Sequence, residues 1–147
     1  MAQFARPSTD AYNSDGWTED DGTSVNMWDE INEVSASDTD YVRSALAPTN
    51  DVYVTKLTSV NDPALSTGHV VRWRRQAPVA GGATVNLTVQ LRQGYVNEST
   101  LGTLIAEKAT VAAPGSWADD SLTLSGAEAD SITDYADLYL RFLANQP

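Results

Sequence analysis

The chain has 147 residues, contains no cysteine and carries a formal net charge of −11. This length suits one domain with a buried core. The absence of cysteine excludes disulfide bonds and thiolate metal sites. Because a strongly acidic surface repels phosphate groups, we expect neither nucleic acid nor an anionic membrane as a partner.

The acidic charge is concentrated at the start of the chain. Residues 1–40 hold ten acidic side chains against the single base Arg6, whereas residues 41–147 hold ten acids against eight bases. Two interpretations stay open, namely a hydrated flexible arm and an arm that docks on a partner. Phe4, Tyr12 and Trp17 favour docking, since disordered tails rarely carry such aromatic residues. We therefore predict an extended, ordered arm over residues 1–26, whose side chains Phe4, Arg6, Tyr12 and Trp17 contact a partner.

The next segments are short. Residues 27–34 fit either a short helix or a short strand, because four apolar side chains are too few to decide. Residues 38–42 indicate a turn that leads into an edge strand. The remainder of the chain is predicted to form strands at residues 51–60, 68–76, 84–93, 101–111, 121–125 and 137–143. A loop is expected at residues 78–82 and a brief helical turn within residues 126–133.

The clearest strand signal lies in residues 84–93. Apolar side chains alternate strictly with polar ones, which is typical of a strand with one buried and one wet face. Thr88 and Gln90 fall on the predicted wet face. The predicted core consists of Leu87, Val89, Leu91, Leu138, Leu140 and Phe142.

Short strands separated by turn residues, without long amphipathic helices, indicate an antiparallel sandwich or barrel. We favour an all-β, jelly-roll-like β-sandwich, although the number of strands does not distinguish it from an immunoglobulin-like sandwich. The expected organisation is an extended N-terminal arm over residues 1–26, followed by a single β-sandwich domain over residues 27–147.

The sequence shows no recognisable catalytic constellation. His69 is the only histidine, so two-histidine metal sites are excluded. Because the sequence reveals no partner that would orient it as a general base, we expect a structural or surface role. Neither a GxSxG nucleophile elbow nor a phosphate-binding glycine loop is present. We predict no catalytic, cofactor-binding or metal-binding residues, and hence no enzyme activity.

An arginine-rich strand offers a second candidate contact. Alternation places Arg72 and Arg74 on one face of the strand and Trp73 on the other. Two interpretations are open. Acidic side chains across the sheet, or solvent, pair with these arginines. Alternatively, the arginines form a basic stripe that binds an acidic partner, such as the arm of a neighbouring copy.

Several segments together resemble small structural modules in the particles of tailed bacteriophages. They are ARPS at 5–8 with GWT at 16–18, DTDYV at 38–42, STGHVVRWR at 66–74 and DYADLYLRF at 134–142. Such modules include capsid decoration (cement) proteins and β-rich domains of neck, tail or fibre components. The resemblance implies an all-β fold, no enzyme activity, no cofactor and a homo-oligomer, often a trimer, on a capsid or tail surface.

From these observations we expect a virion structural protein, and capsid cement is the favoured role because the chain is small. It would be made in the host cytoplasm, since its first residues lack the features of a secretory signal. It would then bind the major capsid protein or another virion protein on the outer surface of the capsid. The alternative is a neck, tail or receptor-binding β-sandwich that binds carbohydrate, with Trp17, Tyr95 and Trp117 as stacking platforms if they are exposed.

Overall fold

The structure is a computed structural model that describes residues 2–77 and 84–147. The loop predicted at residues 78–82 lies outside the described residues. Strands account for 40% of the chain and helix for 7%, which confirms the all-β prediction. Within the described ranges, no helix is both long and apolar enough to cross a membrane.

Strands form nearly all of the regular structure. In chain order they are β1 (Pro7–Asn13), β2 (Thr18–Glu19), β3 (Val42–Arg43), β4 (Asp51–Leu57), β5 (Val70–Arg75), β6 (Asn86–Gln93), β7 (Thr103–Thr110), β8 (Ala118–Thr123) and β9 (Leu138–Asn145). A 3-10 helix at Met27–Ile31 resolves the ambiguous segment, and α1 (Gly126–Asp130) confirms the predicted helical turn.

The strands assemble into one large sheet and two small ones. The large sheet has the order β1-β4-β9-β6-β7, while β2 pairs with β3 and β5 pairs with β8. All of these pairings are antiparallel. The small β5–β8 sheet packs over one face of the large sheet, since Val71 and Leu122 contact the core cluster that contains Leu91 and Leu138. The arrangement is therefore sandwich-like.

Strand β1 corrects the prediction of an N-terminal arm outside the domain. Residues Pro7 to Asn13 pair with β4, and Asn13 lies opposite Tyr53. The pairing contains two irregularities, and its first residue is a proline, as suits a strand at the edge of a sheet. The large sheet thus includes residues 7–13, and residues 1–26 are not separate from it.

Buried apolar side chains of the described residues form three clusters, and two of these lie on the covered face of the large sheet. One contains Leu57, Leu91, Ile105 and Leu138, and the other contains Trp17, Met27 and Tyr53. The predicted core residues Val89, Leu91 and Leu138 are buried, with 1%, 5% and 5% of their surface exposed. Leu87, Leu140 and Phe142 are half-buried and pack against these clusters.

The opposite face of β6 is not wet, so that part of the prediction is wrong. Gln90 exposes only 8% of its surface, and Thr88 is half-buried. The cause is a polar network around Gln90. Its Oε1 accepts a hydrogen bond from Arg92 Nε at 2.7 Å, and the guanidinium of Arg141 reaches Glu98 at 2.6 Å. Long polar side chains and the Glu98 loop thus cover this face.

Candidate interaction surface

The first predicted contact residues lie on an exposed segment beside the end of β4. Phe4 exposes 62% of its surface, and Arg6 is also exposed. The backbone of Arg6 exchanges two hydrogen bonds with Thr58, from Thr58 N to the Arg6 carbonyl at 2.7 Å and from Arg6 N to Thr58 Oγ1 at 3.0 Å. This backbone is held in place while both side chains face solvent.

A second pair of hydrogen bonds holds the same segment closer to its N-terminal end, at Gln3. The side-chain amide of Gln3 donates to the Asn61 carbonyl at 3.0 Å, and Gln3 Oε1 accepts from Asn61 N at 2.8 Å. Phe4 therefore lies between two pairs of hydrogen bonds, one at Gln3 and one at Arg6. We refer to residues 3–6 as the N-terminal ledge.

Tyr12 and Trp17 lie elsewhere. Tyr12 is half-buried and packs against the cluster of Val54 and Tyr139 on the second face of the large sheet. Trp17 exposes 6% of its surface, and its ring lies 6.2 Å from that of Tyr53. Trp17 is a core residue, so the structure does not place it where it can meet a partner.

Sequence reasoning missed Asp10, which it counted only as an arm charge. The carboxylate of Asp10 accepts hydrogen bonds from the backbone N–H groups of Met27 and Trp28, each at 2.9 Å, and from the Tyr53 hydroxyl at 2.7 Å. Burial and the bond to Asp10 raise the pKa of Tyr53 far above its usual range. No local signal marks Asp10, because all three donors are distant in sequence.

The structure confirms the alternation of the arginine-rich strand. Arg72 is exposed and lies opposite Ser121, and Arg74 lies opposite Asp119. Arg74 donates from Nη1 to Asp119 at 2.9 Å and from Nη2 to Asp38 at 3.0 Å. Acidic side chains of the same chain therefore satisfy Arg74, and the hydrogen bond from Arg74 holds the pKa of Asp38 below its usual value.

On the inner side of this strand, charged groups connect the two layers. Arg75 Nε donates to Asp120 at 2.9 Å, and Lys108 of β7 contacts the same carboxylate. The ammonium of Lys108 also lies 5.7 Å from the centre of the Trp73 ring. This side therefore joins the two sheets.

A depression of about 470 Å³ opens on the outer side, lined by Ala36, Asp38, Arg74 and Asp119. The rings of Tyr41 and Trp117 meet edge to face with their centres 5.4 Å apart. The segment that contains Asp38 and Tyr41 therefore contacts the β5–β8 sheet region twice, through Asp38 at Arg74 and through Tyr41 at Trp117. The alternation at Arg74 was the only sequence signal for this site, because Asp38 is 36 residues away.

The three aromatic platforms considered for carbohydrate have different surroundings. Trp17 and Tyr95 expose only 6% and 5% of their surface, so their ring faces are covered. Trp117 is half-buried. His69 Nε2 and the Tyr135 hydroxyl share a hydrogen bond of 2.8 Å.

Comparisons with protein-family models, curated proteins and solved structures gave no match to this chain.

Proposed function

We propose that this chain is a virion structural protein of a tailed bacteriophage, and specifically a capsid decoration protein. In this role it binds the major capsid protein, or another virion protein, on the outside of the particle and catalyses no reaction. The proposal includes self-association, as a trimer in the form that the family resemblance implies. The observation that carries the proposal is the N-terminal ledge, which presents Phe4 to solvent on a fixed backbone.

The physical argument concerns the entropy of docking. Aromatic side chains contribute much of the binding energy in protein interfaces when they become buried. A segment that is already ordered loses less conformational freedom on binding than a flexible tail does. Because the Gln3 side chain and the Arg6 backbone hydrogen-bond to the domain on both sides of Phe4, the segment that carries the ring is held in place before a partner binds.

Charge adds a long-range term. The chain carries a net charge of −11, so it is attracted to basic surfaces and repelled by acidic ones. At physiological ionic strength such attraction is screened beyond ~8 Å. We therefore assign the closest contact to Phe4 and Arg6 and the approach to the charge of the whole molecule.

Sedimentation with phage particles tests the proposal. Particles that lack this chain are mixed with the purified protein, and the bound fraction is measured after centrifugation. The unchanged protein should sediment with particles, and Phe4→Ala should weaken this binding by about tenfold or more, since loss of an interface anchor typically exceeds 1.4 kcal/mol.

Val111→Ala is the matched control, because Val111 is 76% exposed just beyond β7, at the opposite edge of the large sheet from β1. This variant should bind as the unchanged protein does. Failure of the unchanged protein to sediment with particles would refute the decoration role. Equal losses for both variants would show that the N-terminal ledge is not the contact.

A further inference from the structure

We propose that the partner of the N-terminal ledge presents an apolar pocket with a carboxylate at its rim, and that Arg6 binds this carboxylate while Phe4 fills the pocket. This inference rests on the decoration role and adds the chemistry of the surface that the ledge contacts. It draws on three features, which are the alternation of the ledge side chains, the unused guanidinium of Arg6 and the closeness of Arg6 to Phe4.

The alternation of the ledge presents Phe4 and Arg6 together. Ala5 is half-buried and packs against the core cluster that contains Leu57 and Leu138, whereas Phe4 and Arg6 are exposed. The Cα atoms of Phe4 and Arg6 are at most about 7 Å apart, because even an extended chain advances no more than about 3.6 Å per residue. A partner that covers the Phe4 ring therefore comes within reach of the long Arg6 side chain.

The guanidinium of Arg6 has no role inside the chain. The sequence has 20 acidic side chains against nine Lys and Arg, which is more than two acids for each base. The bases that form salt bridges among the described residues are Lys56, Arg74, Arg75, Lys108 and Arg141. Within the same part of the chain, Arg6 hydrogen-bonds only through its backbone. Its charged side chain is thus available for an acid on another protein.

The shape of the guanidinium favours a carboxylate as its partner. Arginine can donate two parallel hydrogen bonds to a carboxylate, and such charge-assisted bonds are roughly twice as strong as neutral ones. A phosphate also accepts them, but a phosphate backbone offers no apolar pocket for Phe4, and the net charge of −11 repels it. A single rim carboxylate is compatible with a partner surface that is basic overall.

Burial of the Phe4 ring makes the Arg6 contact selective. Once the ring excludes water, a pair between Arg6 and a carboxylate is screened less than an exposed pair. A pocket without that carboxylate would leave the guanidinium desolvated and unpaired, which weakens binding. Arg6 thus discriminates among apolar pockets, and Phe4 supplies most of the buried apolar surface.

Sedimentation with particles that lack this chain tests the role of Arg6. Arg6→Gln should weaken binding by about tenfold or more, because it removes a charged donor and leaves the partner carboxylate unpaired. The control Arg43→Gln makes the same change in net charge at an exposed arginine of the β2–β3 sheet, and it should bind as the unchanged protein does. Near-ultraviolet circular dichroism should be the same for all three proteins, since both substitutions are at exposed positions.

Carbodiimide cross-linking identifies the group that residue 6 contacts. Arg6→Lys introduces an amine at this position, and a carbodiimide condenses an amine with a neighbouring carboxylate to form an amide, with loss of water. After digestion of the cross-linked particles, mass spectrometry should find residue 6 joined to an aspartate or a glutamate of another virion protein.

Three results would overturn the proposal. They are equal binding of Arg6→Gln and the unchanged protein, loss of binding in Arg72→Gln instead of Arg6→Gln, and no cross-link from residue 6 to another virion protein. The second result would assign binding to the arginine-rich strand, and a cross-link only to a second copy of this chain would assign the ledge to self-association. If the unchanged protein does not sediment with particles, the decoration role itself fails. If it sediments and Arg6→Gln sediments equally, only the carboxylate contact fails.

Discussion

The hydroxyl of Tyr53 donates a hydrogen bond to Asp10 at 2.7 Å, although 43 residues separate the two in the chain. Tyr53 has no exposed surface and lies in the same core cluster as Trp17. Asp10 also accepts bonds from the first residues of the 3-10 helix. One carboxylate therefore ties the first strand to the buried core residue Tyr53 of β4 and to the helix that follows.

Removal of residues 1–19 should abolish cooperative folding. The deletion removes strand β1, the Asp10 contacts and the Trp17 ring from the core. Loss of a buried tryptophan side chain alone typically costs about 3–5 kcal/mol, a large part of the stability of a small domain. Thermal unfolding followed by near-ultraviolet circular dichroism measures this. A truncated protein with an unchanged melting temperature would show that the N-terminal strand is dispensable.

The Tyr53–Asp10 contact predicts a specific loss of stability at high pH. Burial raises the pKa of Tyr53 in the folded protein, whereas the unfolded chain should titrate near ~10. Above that pH the unfolded state releases a proton that the folded state retains, so the free energy of unfolding falls as pH rises. Tyr53→Phe should cost about 1 kcal/mol at neutral pH and should flatten this decline. Identical alkaline slopes in urea unfolding for the two proteins would contradict the assignment.

The Glu98–Arg141 pair predicts the opposite dependence, at low pH. Burial alone would raise the pKa of Glu98, but the hydrogen bond and charge of Arg141 outweigh it and hold the pKa below its usual value. The stabilisation is therefore fully present above about pH 4.3, where the unfolded chain titrates, and it is lost as the pH falls through the folded-state pKa. Glu98→Gln should be less stable at pH 7, with a smaller loss between pH 5 and pH 2. A difference between the two proteins that stays constant over this range would argue against the pair.

Gln90 should contribute more to the free energy of unfolding than a polar side chain on a solvent-exposed face would. Its Oε1 accepts from Arg92 Nε at 2.7 Å and from Arg141 Nη1 at 3.4 Å, so Gln90→Ala leaves two buried guanidinium groups with fewer partners. Buried donors that lose their partner cost about 1–3 kcal/mol each. The control Thr88→Ala, on the same face of β6, should cost less than about 1 kcal/mol. If Gln90→Ala and Thr88→Ala lost equal free energy of unfolding in denaturant, Gln90 would have no special role.

The sequence was sufficient to predict the strands whose side chains alternate. Residues 84–93 and 137–143 place most of their apolar side chains on one face of a paired strand, and this leaves a period of two that is readable without a structure. Strand β1 was not predicted, because an edge strand pairs on one side only. Its first residues, Pro7, Ser8 and Thr9, also show no apolar alternation.

The remaining errors share a physical cause, which is contact between distant segments. Gln90 is polar, and its burial depends on Glu98 and Arg141, which come from a loop and from another strand. The alternation of β5 placed Arg72 and Arg74 correctly, yet nothing near Arg74 indicated that Asp38 would neutralise it. Local patterns report which face a side chain occupies, but they do not report its partner.

The virion role has one most direct test, which is the number of copies of this chain in purified phage particles. Quantitative mass spectrometry, with isotope-labelled peptides of this chain and of the major capsid protein, gives the ratio between the two. A capsid decoration protein should be retained through density-gradient purification at a constant ratio to the capsid protein across preparations. If the chain is abundant in infected cells but missing from purified particles, or if its ratio varies between preparations, it is not a structural component of the virion.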